Sequence, residues 1–79
     1  MERPAIAYDP EDIGKAIRAR RKKLGYTMQE VAEFNQCSLR FVSELERGKP
    51  GAGIGLALKI ANSVGLDIAT IERGSGKWD

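Results

Sequence analysis

The chain has 79 residues and a net charge of +2, with 42% hydrophobic and 6% aromatic side chains. That is enough for one small, mainly aliphatic core and too little for a second domain. One cysteine excludes an internal disulfide, no apolar run approaches the ~20 residues that span a bilayer, and the absence of histidine removes the commonest catalytic base and metal ligand.

Residues 1–8 form an expected extended arm, with no signal-peptide pattern in MERPAIAYD. Asp9-Pro10 starts the first helix: Asp as N-cap, Pro at the first helical position, then Glu11 and Asp12 in the first turn. Ile13, Ala16, Ile17 and Leu24 make an apolar stripe at helical spacing, and Gly25 ends the helix. Six of the thirteen basic residues fall between positions 15 and 23: Lys15, Arg18, Arg20, Arg21, Lys22 and Lys23. A stripe this concentrated fits a phosphate footprint, with a solvated helix face as the plainer alternative.

The next stretch, TMQEVAEFNQCSLRFVSELERG (27–48), holds two short helical patterns joined by a polar turn. Thr27 and Glu30 form a capping box for a second helix over about 28–35, with Val31 and Ala32 inward. Ser38 caps a third helix over about 39–47, and Gly48 stops it. Helices this short persist only when docked on a body. The arrangement is the helix-turn-helix design, in which the second of the pair reads the DNA major groove. On the wheel Ser38, Val42 and Leu45 face in, with Phe41 at the edge. Arg40, Ser43, Glu44 and Arg47 face out, and Leu39 flanks the first turn. Arg, Ser and Glu are chemically able to read base edges, and Leu to touch a thymine methyl. Glu46 falls near the inward side, where a carboxylate needs a cation, and Arg20 or Arg21 of the first helix could supply it.

A fourth helix over about 54–64 presents Ile54, Ala57, Leu58, Ala61 and Val64 on one face, with Gly65 just past its end. Gly51, Gly53 and Gly55 weaken its start, so a late or frayed first turn is expected. GAGIG (51–55) follows no strand and lacks the dinucleotide-loop spacing. LDIATIER (66–73) then reads as a short strand. Its expected partner is the same strand of a second copy, through Leu66, Ile68, Thr70 and Ile71; residues 5–8 are the alternative. Residues 74–79, GSGKWD, are expected to be a flexible tail, in which Trp78 is the odd member.

RARRKKLGYT (18–27), EVA (30–32), SELERGKP (43–50) and LKIANSVGL (58–66) together resemble the Cro/phage-repressor, or XRE, type of helix-turn-helix domain over about residues 12–66. The resemblance implies an all-α lambda-repressor-like fold of four to five helices, spanning residues 9–65, with a short dimerisation strand at 66–73. It implies a dimeric, sequence-specific repressor of a palindromic operator in double-stranded DNA. It pairs Arg21 with Glu46 and assigns base contacts to Leu39, Arg40, Ser43 and Glu44. Phosphate contacts fall on Thr27, Met28, Arg47 and Lys49, with Arg18 from the basic stripe. Two departures stand out: Met28 replaces a frequent phosphate-holding Gln, and Gln36 replaces a frequent turn Gly, at a strain of ~1 kcal/mol if left-handed.

The opening IAYDPEDIGKAIRARRKKLG and the run LERGKPGAGIGLALKIANSVGLDIATIE are further similar to HipB-like antitoxins. This implies autoregulation and a HipA-like kinase toxin as partner. The expectation is a cytoplasmic, nucleoid-associated homodimer with no enzymatic activity, cofactor, metal or membrane contact; Cys37 is read as a buried turn residue. The competing expectation is a protein-interaction adaptor that keeps the fold but has lost DNA discrimination.

Overall fold

The computed structural model describes residues 6–73, and the tail at 74–79 lies outside them. Four helices form: α1 (Pro10–Leu24), α2 (Met28–Phe34), α3 (Leu39–Glu46) and α4 (Ile54–Ser63). Each of the first three starts at a side-chain cap. Asp9 Oδ1 accepts from the Asp12 N–H at 3.0 Å, and Ser38 Oγ from the Phe41 N–H at 3.0 Å. At α2 the box is reciprocal: the Glu30 N–H donates to Thr27 Oγ1 at 3.0 Å, and the Thr27 N–H to Glu30 Oε1 at 2.8 Å. α4 begins after Gly53 with no side-chain cap, and its first residue is Ile54 despite the glycines before it.

α1 packs on α3, α3 on α2, and α2 on α4. The buried centre is Ile17, Val31, Ala32, Val42, Leu45, Ile60, Ala61 and Val64. Ile13, Tyr26, Met28, Cys37, Phe41, Leu56, Ala57 and Leu66 close around it. Two glycines let α1 and α3 approach. A Cβ on Gly14 would lie 2.6 Å from the Glu46 carbonyl oxygen, and one on Gly48 would lie 2.6 Å from Glu11 Cγ. No side chain fits in either place.

Two apolar stripes differ from their sequence expectation. Leu24 is exposed, and Arg21 is the residue of the last turn of α1 that faces inward. In α4, Ile54 is 76% and Leu58 37% exposed, while Ile60 is fully buried. The α4 wheel is therefore rotated toward Ile60, Ala61 and Val64, the positions that belong to the buried centre.

Residues 66–73 carry no regular secondary structure, so the strand expected there is not formed in the single chain. Leu66 is half-buried against the core, whereas Ile68, Thr70 and Ile71 are exposed. The reason is physical: a strand needs an edge to bond to, and a lone chain whose other described elements are helical offers none. Arg73 instead lies over the Tyr8 ring, 5.7 Å from its centroid, bringing the two ends of the described chain together.

Candidate nucleic-acid interface

The turn between α2 and α3 is closed by its own backbone. The Cys37 N–H reaches the Ala32 carbonyl at 3.0 Å and the Gln36 N–H the Glu33 carbonyl at 3.2 Å. Gln36 takes φ +54°, the left-handed conformation that glycine adopts most easily. Burial pushes the Cys37 thiol up from its ordinary range, with Lys59 opposing, so the thiol stays protonated at neutral pH.

One ion pair fastens α3 to α1. Arg21 Nε donates to Glu46 Oε2 at 2.6 Å and a terminal nitrogen donates to Glu46 Oε1 at 2.9 Å. The other terminal nitrogen of Arg21 donates to the Tyr26 carbonyl at 2.9 Å. Both residues are buried, and the Glu46 hydrogen bonds raise the Arg21 pKa, keeping it charged. Arg20 has a different job: its Nε donates to the Val64 carbonyl at 3.0 Å, at the C-terminal end of α4. A third tie carries little signal in the sequence. Buried Asn35 donates to the Val31 carbonyl at 2.8 Å and to Ser63 Oγ at 3.0 Å, linking the end of α2 to α4. A polar residue at a helix C-cap was its only sequence signal.

With its inner side held, α3 presents an outer face. Leu39, Arg40 and Arg47 are exposed, and Ser43 and Glu44 are half-buried. Lys49 follows in the next turn. Glu44 is not free: Arg40 Nε and Lys49 Nζ both donate to its Oε2, at 3.1 and 3.0 Å. Those bonds, Lys49 first, hold the Glu44 carboxyl below the usual carboxylate range. Beside this face an open cleft of about 470 Å³ runs between α1 and α3. Glu11, Lys15 and Arg18 line it from α1, Met28 from α2, and Ser43 and Arg47 from α3 and its end, over the floor of Arg21 and Glu46, so cations outnumber acids there. The structure thus brings Arg18, Met28, Ser43 and Arg47 to one cleft, and Arg40, Glu44 and Lys49 to one cluster. Thr27 is engaged in its cap, and Met28 is half-buried against the core. Leu66, Ile68, Thr70 and Ile71 belong to neither group. Lys15 joins the cleft from the basic stripe; its place one helical turn before Arg18 was the signal.

A cationic cleft beside a docked, solvent-facing helix suits a polyanion with readable edges. Comparison with known proteins agrees. The helix-turn-helix family profile matches residues 17–74. The chain is 37% identical over 65 residues to an HTH-type transcriptional regulator of Sinorhizobium fredii, covering 82% of this chain and 86% of that one. It is 33% identical over 60 residues to a competence pilus inhibition repressor of Acinetobacter baylyi, covering 76% of this chain and 54% of that one. Among solved structures, chains from a HipA-HipB-O2-O3 complex and from a HipB-O4 20mer complex each superpose with TM-score 0.80 at 20% identity, over 90% of this chain and all of theirs. At that identity the likeness is one of fold.

Proposed function

The chain belongs to the helix-turn-helix family of transcriptional regulators, and from that premise we propose that it is a DNA-binding repressor acting as the autoregulating antitoxin of a toxin–antitoxin pair. It is a regulator rather than an enzyme. The observation that carries the reading is the outer face of α3, bearing Arg40, Ser43 and Arg47 next to a cleft lined by Lys15 and Arg18. α3 enters the major groove; Leu39, Arg40, Ser43 and Glu44 meet base edges. Arg18, Arg47 and Lys49, with the start of α2 at Thr27 and Met28, lie along the phosphates. Met28 contributes packing there and no amide.

The partner set follows from the same reading. Two copies bind a palindromic operator, with half-sites about one helical turn apart, ~34 Å, or a small multiple of it. Residues 66–73 become a strand when a second copy supplies the edge, through Leu66, Ile68, Thr70 and Ile71. A HipA-like kinase is the proposed toxin, supported by the HipB likeness of the fold. The setting is the cytoplasm, on the nucleoid; among the described residues no helix is long and apolar enough to cross a membrane.

The test is a binding titration against the DNA upstream of the chain's own gene, with a scrambled duplex of equal length as competitor, at two salt concentrations. A preference of ~10³ or more for the upstream DNA is expected. Equal or absent binding to both would favour the adaptor reading, which the apolar Met28 and the modest net charge of +2 support.

A further inference from the structure

Glu44 is the least expected side chain on the outer face of α3. Helix energetics give no reason for it. It follows Arg40 in the less favourable order of an i,i+4 pair. It also lies in the last turn, where the macrodipole disfavours a carboxylate. Near a phosphate backbone it is repulsive. Yet its side chain is 22% exposed, drawn between two cations whose side chains remain 82% exposed at Arg40 and 57% at Lys49. Ion pairs exposed to this degree contribute little to stability, and α3 is already fixed by the buried Arg21–Glu46 pair. The cluster is therefore not scaffold. Both cations share one oxygen, Oε2; among the described residues Oε1 takes no hydrogen bond.

We infer that Glu44 is a specificity filter, which occupies Arg40 and Lys49 so that the α3 face engages tightly only a duplex whose base edges replace the Arg40 bond and pair the open Glu44 oxygen. The inference rests on the DNA-reading function proposed above. On an arbitrary duplex, a phosphate has to draw each cation away from Glu44 while approaching a carboxylate of its own sign. The loss falls on every sequence. On a matching site it is recovered: Arg40 turns to guanine O6 and N7, and a cytosine amino group donates to the open Oε1. Discrimination then comes from a repulsive element as much as from an attractive one.

The test compares the full chain with its Glu44→Gln variant, which keeps the side-chain length and an acceptor but removes the charge. Two readouts are used: affinity for a mixed-sequence duplex of roughly two helical turns, and selection from a random duplex pool. The variant should bind the mixed duplex about tenfold more tightly, with a log affinity–log salt slope steeper by ~1–2 as the freed cations reach phosphates. Its selected consensus should be less sharp. Adding Lys49→Gln should remove part of the gain, since the freed lysine carries it. If the variant melts like the parent yet binds the mixed duplex equally or more weakly, the filter is overturned and DNA reading stands. If the parent chain enriches no sequence from the pool, DNA reading fails and the filter with it.

Discussion

Residues on the two sides of α3 are asked for opposite things, and their substitutions should separate accordingly. Arg40 offers a forked donor to the solvent side, so Arg40→Ala should cost ~1–3 kcal/mol of discrimination at one base pair. Lys49 is a point charge beyond the helix end with no base edge to read, and Lys49→Ala made in the Glu44→Gln background should weaken all duplexes alike and flatten the salt dependence. Competition titrations on a panel of single-base variants distinguish the two. On the inner side, Glu46→Ala strands a buried guanidinium on the Tyr26 carbonyl alone. Breaking such a pair costs about 3–5 kcal/mol, a large fraction of the stability of so small a domain, and urea melts should show it as a lowered midpoint. Gln36 stores strain in the turn at φ +54°. Gln36→Gly should stabilise by up to about 1 kcal/mol, while Gln36→Val should destabilise, since a β-branched residue fits the left-handed region worst. The same denaturation measurement decides both.

At the scale of elements, the seam between α1 and α3 is tighter than helix propensity alone would make it. An exposed helical Gly→Ala change gains ~1 kcal/mol. Gly14→Ala should instead lose ~1–3 kcal/mol, because its methyl would enter the α3 backbone at Leu45 and Glu46. A thermal melt reads the sign directly. Helix starts were legible because Asp9, Thr27 and Ser38 each cap through local chemistry that needs no tertiary context. The inner face of α4 was not legible. Apolar residues occupy more than half of the α4 wheel, with Ile54 and Leu58 toward one edge of the arc and Ile60 toward the other, and only packing against the rest of the domain decides that Ile60 goes in. The strand expected at 66–73 is absent from the single chain for a related reason. Alternating β-branched residues state a preference, but a strand exists only with a neighbour. On the α3 face, spacing placed Glu44 outward. It could not show that Glu44 shares a single oxygen with Lys49, because that lysine lies past the helix end, where the wheel no longer applies.

For the molecule as a whole, the core is small and the surface carries uncovered isoleucines at 54, 68 and 71. Under the proposed pairing of two copies, folding and association are linked by mass action. The melting temperature should therefore rise with chain concentration, and Ile71→Lys should remove that dependence; calorimetry across a hundredfold dilution series, on the order of the range where linkage is readable, tests it. Two of the cations that line the cleft, Lys15 and Arg18, stand on α1, and the side chains proposed to read bases stand on α3. Between them, Gly14 and Gly48 leave no adjustable gap. Grip and reading head are thus a single rigid gauge, machined to one setting by two absent side chains. An operator can change its letters and find a new partner among variants of the α3 face, but the offset between its gripped phosphates and its read bases is fixed by the seam. Sequence preference in this architecture is free to drift where footprint geometry is not.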